Sequence, residues 1–313
     1  MALRHVEVYR GSLALKQPMN FAGVQLKHRD IAYVCAFNTK LKQPVRAELA
    51  PLPGFSRETL DQAINEILDA AQGNQRALTC PSAAFAWDCL VYGITPKHVP
   101  TDIPLLQGQA PQLIEDYREL NCPERIKLKV ARLDTATELA NIASLVALNP
   151  NLRLRLDANQ GWSLSQALQF CQQLSPVNIE YIEEPCKSIT DTLDALQPSG
   201  IAIALDEQLQ QPQWPMQHMH EPAIKALIIK PSLIGSFSRI QSLLCLAKQH
   251  QQRVILSSAF ESPYGLGLLA NLAKIWTPNE VPGLDTSKYF ADPKPGEHWQ
   301  TWPKRSASVS GNI

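Results

Sequence analysis

The chain has 313 residues, with 29 Lys and Arg against 29 Asp and Glu, so its formal net charge is zero. Hydrophobic residues make up 45% and charged residues 19%, which is typical of a globular protein and excludes a disordered chain. There is no basic stripe and no apolar run long enough to span a bilayer, so we expect neither a nucleic-acid nor a membrane partner.

The N-terminus has no apolar core of signal-peptide length, and the seven cysteines are scattered without a CxxC pair. This pattern predicts free thiols in a reducing cytoplasm. Composition does not distinguish a monomer from a small homo-oligomer.

The first part of the chain, residues 1–98, mixes strand-like and helix-like stretches and predicts an α+β domain. The strands are "HVEVYR" and "IAYVCAF", and the helices are "ETLDQAINEILDAAQ" and "PSAAFAWDCLVYGI". Ser56 ahead of Glu58 predicts the start of the first helix. A segment with four prolines, "ITPKHVPTDIPLLQGQAP", follows and is typical of a linker.

Residues 99–285 alternate short apolar strands with amphipathic helices, a pattern that indicates parallel βα units. The strands are "IKLKV", "LRLRLD", "IEYIEEP", "IAIALDE", "IKALIIKP" and "RVILSS". Alternation alone allows either an open doubly wound sheet or a closed barrel. There is no GxGxxG or GKS/GKT loop, which disfavours a nucleotide-binding protein. Residues 286–313 are expected to form a C-terminal tail that packs on the first domain.

Ionisable residues recur at the ends of these strands. Their successive separations are 28, 26, 23 and 24 residues, about one βα unit each, and the residues are Lys129, Asp157, Glu183, Asp206 and Lys230. Ser257 and Ser258 end the next strand. The carboxyl ends of barrel strands meet at one mouth, so the spacing predicts a common site. Taken singly, each residue has an ordinary alternative as a helix cap, a solvated charge or a snorkelling lysine.

The strand "IKLKV" places Lys127 and Lys129 on one face, because side chains on a strand alternate. Buried ammonium groups need compensation, and three carboxylates nearby can supply it. The same carboxylates suit a hard cation such as Mg²⁺, with Mn²⁺ as a substitute, whereas the absence of His and Cys disfavours zinc. A lysine beside such a metal can remove a proton next to a carboxylate. For that role the pKa of Lys129 must be low, and both burial and the Lys127 ammonium lower it.

These motifs resemble the enolase superfamily: K-x-K, D-x-N, E-E-P, D-E and the lysine of "IIKP". Within it, longer stretches resemble the o-succinylbenzoate synthases. They are "LRLDANQGW", "YIEEPCK", "IAIALDEQL", "IIKPSLIGS", "ILSSAFESPYGLG" and "VPGLDT", with "APLPGFSRET" and "CPSAAFAWDC" in the first domain. The resemblance implies a capping domain followed by a (β/α)7β TIM-like barrel. One departure is Ala131, where the family often has glycine.

By position, the resemblance implies three Mg²⁺ ligands, Asp157, Glu183 and Asp206. It implies Lys129 as the general base. Lys230 would stabilise the developing negative charge and contact the forming ring, while Lys127 would tune Lys129 and bind the substrate carboxylate.

Strand parity favours Glu183 over Glu184 as the ligand, although Glu184 stays an alternative. Arg155, Ser257 and Ser258 are candidate substrate contacts, with a charge pair to a neighbouring strand as the alternative for Arg155. Asn159 and Glu207 are candidates for supporting the ligands.

The implied activity is a Mg²⁺-dependent dehydration of 2-succinyl-6-hydroxy-2,4-cyclohexadiene-1-carboxylate to o-succinylbenzoate in menaquinone biosynthesis. The partner is therefore a small-molecule carboxylate. The alternative enzyme is an N-acylamino acid racemase or dipeptide epimerase on the same scaffold. A non-catalytic binding protein is a third possibility, which the intact set of charged residues disfavours.

Overall fold

The computed structural model describes residues 2–73, 78–100, 103–211, 216–291 and 305–309, with residue 216 and the last range described by backbone alone. The chain folds into two compact units. The first comprises Met1–Pro100, Lys230–Leu243 and Leu256–Ile313, and the second comprises Thr101–Ile229 and Leu244–Ile255. The domain boundaries at 98 and 285 stay a prediction, because the first unit draws on three separate stretches of the chain.

The strands are β1 (Leu3–Phe21), β2 (Val24–Asn38), β3 (Gln43–Leu49), β4 (Leu105–Leu106), β5 (Arg125–Lys129), β6 (Arg153–Asp157), β7 (Ile179–Glu183), β8 (Ile203–Leu205), β9 (Ile224–Ile229), β10 (Arg253–Leu256) and β11 (Arg305–Val309). The α-helices are α1 (Leu60–Ala71), α2 (Pro81–Tyr92), α3 (Gln112–Glu119), α4 (Thr135–Leu148), α5 (Leu164–Gln173), α6 (Ile189–Leu196), α7 (Pro231–Ile234), α8 (Phe237–Gln249) and α9 (Pro263–Trp276). Within the described ranges, no helix is both long enough and apolar enough to span a membrane.

The first unit contains a four-stranded antiparallel sheet in the order β11-β1-β2-β3. A two-residue turn joins β1 to β2, and both of its residues, Ala22 and Gly23, have positive φ angles of 47° and 90°. Such a turn matches the right-handed twist of a hairpin. On the far side of β1, Val6 pairs with Val309 of β11, so strands distant in sequence complete the sheet.

Helix α1 begins later than the sequence predicts. Its N-cap is Thr59, which forms a reciprocal capping box with Gln62. Ser56 instead accepts a hydrogen bond from the Leu52 amide at 2.8 Å and closes a tight turn. Glu58 accepts from the amide and hydroxyl of Ser82 at 2.9 and 2.7 Å, at the beginning of α2. A local turn therefore uses Ser56, and tertiary hydrogen bonds to Ser82 use Glu58, so neither residue starts α1.

The second unit contains a seven-stranded sheet whose strands follow chain order from β4 to β10. The pairings from β4 through β9 are parallel. A doubly wound sheet reverses its strand order at a switch point. Chain order without reversal therefore excludes that alternative, and the predicted N-terminal α+β domain followed by a barrel-type fold is confirmed. The predicted alternation on β5 is also present, because Ile126 and Leu128 are buried between half-buried lysines.

Charged side chains inside the second unit show that the sheet curls. Glu180 on β7 accepts from Arg125 of β5 at 2.6 Å, from Arg155 of β6 at 2.8 Å and from Arg253 of β10 at 3.3 Å. Strands β5 and β10 would lie about 24 Å apart in a flat sheet, since neighbouring strands are about 4.8 Å apart. Two side chains from these strands reach one carboxylate because the sheet bends around it.

The loops that follow β5 and β6 pack closely. Ala131 has a φ of 60°, in the left-handed region that costs an L-residue about 1 kcal/mol. Gly161 lies against it, and a Cβ added at Gly161 would be 2.7 Å from the Ala131 Cβ and 2.9 Å from the Ala158 carbonyl oxygen. The alanine that departs from the family pattern therefore restricts position 161 to glycine.

We expect Gly161→Ala to lower the free energy of unfolding by about 1–3 kcal/mol, because the added methyl group overpacks this contact. Ala131→Gly should recover part of the loss, since it removes one of the two clashing partners and relieves the positive φ. Urea unfolding of both single variants and the double variant measures the coupling. If the changes in unfolding free energy of the two single variants simply added in the double variant, the contact between positions 131 and 161 would be contradicted.

Candidate active site

Four ionisable residues lie together at the carboxyl ends of neighbouring strands in the second unit. Lys129 is the register partner of Asp157, and Asp157 is the partner of Glu183. Asp206 directly follows β8, the next strand. The three carboxylates are each 1% exposed. Parallel register thus places Lys129, Asp157 and Glu183 side by side, whereas Asp206 lies two residues beyond Ala204, the register partner of Glu183.

Lys127 bridges two of the buried carboxylates. Its Nζ lies 2.9 and 2.7 Å from the two carboxylate oxygens of Glu183 and 2.7 Å from Oδ2 of Asp157. Burial alone would lower the pKa of Lys127, but the charges of Asp157 and Glu183 outweigh it and raise the pKa well above its usual value. Lys127 therefore stays an ammonium ion at neutral pH.

Lys129 has a different environment from Lys127. Its Nζ donates to Oδ2 of Asp157 at 2.7 Å and to Oδ1 of Asn159 at 2.6 Å. Burial lowers the pKa of Lys129; Asp157 opposes this shift and the Lys127 ammonium adds to it, so that the pKa is lowered overall. This is the direction that the paired lysines predict.

The lysines also act on Asp157. Burial would raise the pKa of this carboxyl, yet the ammonium groups of Lys127 and Lys129 hold it well below its usual range. Asp157 is therefore a carboxylate at every pH at which the protein is expected to work.

Glu184 has a role that the sequence did not reveal. Its Oε1 accepts hydrogen bonds from the backbone amides of Asp206 at 2.8 Å and Gln208 at 3.0 Å, and its Oε2 accepts from Gln160 at 3.0 Å. Burial and the neighbouring Glu207 raise its pKa to about 8. Glu184 thus fixes the backbone that carries Asp206, and the choice of Glu183 over Glu184 as a metal ligand stays a prediction.

Asn159 forms hydrogen bonds with Lys129 and with the acidic residue Glu207. Its Oδ1 accepts from Lys129 and, at 3.1 Å, from Arg132, while its Nδ2 donates to Glu207 at 3.1 Å. The D-x-N motif therefore supplies a residue that orients Lys129, in line with the supporting role predicted for Asn159 and Glu207.

Lys230 belongs to the first unit and directly follows β9. It is half-buried, and its Nζ lies 5.9 Å from the centre of the Phe55 ring. A cation over an aromatic face is stabilised electrostatically. The turn that carries Phe55 lies in "APLPGFSRET", one of the stretches that resemble the o-succinylbenzoate synthases, and its contact with Lys230 joins residues distant in sequence.

The three candidate substrate contacts are engaged within their own units. Ser257 donates to the Gly283 carbonyl at 3.1 Å, and the hydroxyls of Ser258 and Thr286 are 2.9 Å apart. Arg155 is 3% exposed and pairs with Glu180, the charge partner on a neighbouring strand that was its alternative role. Contact of these residues with a substrate stays a prediction.

The donor set of the strand ends fits a hard cation. All three candidate ligands are carboxylates, the type of group that Mg²⁺ prefers. The Lys127 ammonium already bridges Asp157 and Glu183, so these two carboxylates face a common cationic position. Throughout the described part of the chain, however, no three His, Cys, Asp or Glu side chains converge closely enough to form a complete metal site as they stand.

Comparison with known proteins agrees with this geometry. Residues 3–93 match the family model described as "MenC, N-terminal domain", and residues 109–302 match "Enolase C-terminal domain-like". The o-succinylbenzoate synthase of Salmonella paratyphi B is 32% identical over 295 residues, which cover 91% of each protein.

Two solved structures share the fold. The o-succinylbenzoate synthase of Thermosynechococcus elongatus BP-1, complexed with Mg in its active site, has a TM-score of 0.74 at 24% identity and covers 92% of this chain and 94% of its own. The dipeptide epimerase of Enterococcus faecalis V583, complexed with Mg and L-Leu-L-Tyr, has a TM-score of 0.77 at 18% identity and covers 93% and 92%.

The antiparallel first sheet, the curled parallel second sheet and the charged strand ends define an enolase-superfamily protein. Within that superfamily, the chain belongs to the o-succinylbenzoate synthase family.

We expect Lys127→Met to lower the stability of the metal-free protein by about 3–5 kcal/mol near pH 7, because it removes the ammonium that contacts two buried carboxylates, of which Asp157 keeps its bond to Lys129. The pKa of Asp157 in the folded state is below its ordinary value of 3.8, so this carboxylate stabilises the fold at neutral pH. Without Lys127 its pKa rises, and it takes up a proton at a higher pH than in the wild type. The difference between variant and wild type should therefore shrink as the pH falls.

Urea unfolding in chelator at about pH 7 and about pH 5 measures this difference. Lys225→Met on the same unit is the matched control, because Lys225 is exposed on β9. A Lys127→Met variant as stable as the control at both pH values would show that the ammonium is not compensating these carboxylates.

Proposed function

We propose that the protein is an o-succinylbenzoate synthase, a lyase that removes water from 2-succinyl-6-hydroxy-2,4-cyclohexadiene-1-carboxylate to give o-succinylbenzoate. The observation that carries the proposal is the pair of lysines with different environments on one strand face: Lys127 stays charged, whereas the pKa of Lys129 is lowered. Membership of the family, with 91% of the chain aligned, supports the same activity.

Asp157, Glu183 and Asp206 are the residues that would hold Mg²⁺, or Mn²⁺ in its place. When bound, the metal supplies positive charge that stabilises the negative charge developing on the substrate carboxylate as the α-proton leaves. Glu184 supports this site from outside it, because its hydrogen bond to the Asp206 amide fixes the start of the loop after β8.

Lys129 is the proposed general base. In its neutral form it takes the proton from the carbon next to the substrate carboxylate, and the resulting ammonium returns that proton to the departing hydroxyl group. The C–H and C–O bonds break, one ring C=C bond forms, and the released water carries the transferred proton. A single base therefore suffices, and aromatisation of the ring makes the reaction favourable.

The other two lysines act as fixed charges in this proposal. Lys127 stays an ammonium ion and lies two residues before Lys129 on the same face of β5. Its charge therefore adds to the lowering of the pKa of Lys129, and it can bind a carboxylate oxygen of the substrate. Lys230 contributes electrostatic stabilisation of the developing negative charge. Arg155, Ser257 and Ser258 are proposed to contact the substrate carboxylates.

We also propose that the enzyme works in the cytoplasm, in menaquinone biosynthesis, as a monomer or a small homo-oligomer. All seven cysteines are free, which is typical of a reducing compartment. The proposed partner is the small-molecule carboxylate substrate.

An epimerase or N-acylamino acid racemase is the second candidate, because dipeptide epimerases have the same fold at TM-scores up to 0.77. Such an enzyme inverts a carbon atom with one base on each face, so both Lys129 and Lys230 would have to transfer protons. Dehydration therefore needs only the positive charge of Lys230, whereas epimerisation needs Lys230 to transfer a proton.

We expect activity to require Mg²⁺ or Mn²⁺ and to be lost in excess chelator. Asp206→Asn should weaken metal binding by more than about 100-fold, the upper value for losing a partner outside the ligand shell, because it removes an anionic ligand. Titration with Mn²⁺ followed by electron paramagnetic resonance measures affinity without reference to turnover. Asp194→Asn, at an exposed position of α6, is the control. Unchanged Mn²⁺ affinity in Asp206→Asn would remove Asp206 from the ligand set.

We expect Lys129→Ala to lose about 100- to 10,000-fold in kcat, the range for removing a general base. Lys230→Ala should lose about 100- to 1,000-fold through lost charge stabilisation. Lys230→Arg keeps the cation but cannot transfer a proton near neutral pH, so it should retain measurable dehydration. Lys225→Arg is the matched control on the same strand.

Two assays on the wild type and these variants separate the candidates. One follows o-succinylbenzoate by absorbance, and the other follows racemisation and deuterium exchange of N-succinylamino acid enantiomers in D₂O. Efficient racemisation by the wild type without dehydration, abolished in Lys230→Arg, would establish the second candidate instead.

A further inference from the structure

Arg29 on β2 is 1% exposed, and its guanidinium contacts two distant segments of the first unit. It donates to the carbonyl oxygens of Ala50 at 2.5 Å and Pro51 at 2.7 Å. It also donates to the carbonyl oxygens of Phe260 at 3.2 Å and Ala259 at 3.5 Å. One rigid planar group thus joins the segment that follows β3 to the segment that follows β10.

Two buried carboxylates hold the same second segment. Glu48 accepts from the amide of Ser262 at 2.9 Å and also from its hydroxyl. Glu261 accepts from the amide of Ala259 at 2.6 Å and from the hydroxyl of Ser232 at 2.6 Å. Each residue from 259 to 262 therefore has a backbone or side-chain hydrogen bond within this group.

The charges of the group depend on one another. Burial would lower the pKa of Arg29, and the carboxylates of Glu261 and Glu48 oppose that shift. A neutral side chain at position 29 would leave several buried carbonyl groups without a donor, and it would remove a positive charge that opposes the rise in the pKa values of Glu48 and Glu261 caused by burial. Such a change would loosen both segments together.

Both segments lead directly to residues of the proposed site. Ser257 and Ser258 precede Ala259, and Phe55, whose ring contacts Lys230, follows Pro51 by four residues. Phe55 and Phe260 also pack on the same apolar cluster as Leu52. A shift of the Arg29 contacts would therefore move the predicted substrate contacts without touching the lysines of β5.

We propose that Arg29 is a positioning residue for substrate binding, which acts by fixing the Ala50–Pro51 and Ala259–Phe260 backbone relative to each other. This role rests on the proposed function for its kinetic consequence. It differs from a role in proton transfer or metal binding, because the proposed base and metal ligands lie in the second unit.

The test compares Arg29→Met and Arg29→Lys with Lys27→Met, an exposed position two residues earlier on the same strand. Arg29→Met should raise KM by about 10-fold or more, because substrate binding would then have to order the two segments that Arg29 no longer fixes. Its kcat should change much less, and its Mn²⁺ affinity should equal that of the wild type. Arg29→Lys should raise KM less than Arg29→Met does, since an ammonium keeps the charge but reaches fewer carbonyl groups. Lys27→Met should behave as wild type.

Hydrogen exchange provides the second measurement. The amides of Ala259 and Ser262, which bond to Glu261 and Glu48, should exchange faster in Arg29→Met, while peptides of β5 and β6 stay protected. Unchanged exchange there, or a fall in kcat with KM unaltered, would overturn the proposal. If Arg29→Met does not fold, the same two criteria apply to Arg29→Lys. Absence of dehydration in the wild type would refute the proposed function alone, and exchange would then decide whether Arg29 fixes this segment.

Discussion

The Lys127 ammonium held between Asp157 and Glu183 is the interaction on which the strand-end site depends. Two carboxylates that are each 1% exposed would repel one another, and each would lose hydration on burial. The lysine compensates both charges and, with Lys129, holds the pKa of Asp157 below its usual range. Burial lowers the pKa of Lys129, and the nearby Lys127 ammonium adds to that shift. One ion pair network thus affects the protonation of the proposed base and of one proposed metal ligand, Asp157.

Two adjacent glutamates have different hydrogen-bond partners, and therefore different roles in the site. Glu183 and Glu184 follow one another in sequence, yet Glu183 ends β7 and Glu184 has a left-handed φ of 43°, so the two side chains have different surroundings. Glu183 meets the Lys127 ammonium, whereas Glu184 meets backbone amides and another carboxylate, Glu207. A carboxyl group in the second environment holds its proton to about pH 8 and serves to fix a loop. The paired motif therefore supplies two functions from one residue type.

Periodicity made much of this site predictable from the sequence. Alternation on β5 and the spacing of one βα unit placed Lys127, Lys129, Asp157 and Glu183 together, and both depend only on local repeats. Contacts that depend on curvature or on distant segments were not predictable. Glu180 meets an arginine from β10, and Glu58 caps α2 instead of starting α1. For Arg155, the choice between a substrate contact and the pair with Glu180 depends on how far the sheet bends.

The composition of the first unit has a consequence for how the protein is made. Its antiparallel sheet includes β11, and its core includes residues 230–243 and the region after Leu256. The first hundred residues therefore leave the ribosome long before the segments that complete their unit. In sequence, the second unit comes almost entirely before the segments that complete the first unit. It can therefore fold during synthesis while β1 still exposes an unpaired edge. Such an edge is a site for wrong pairing with other chains. The hairpin of β1 and β2 is thus the part of this protein that a nascent-chain chaperone would most need to shield.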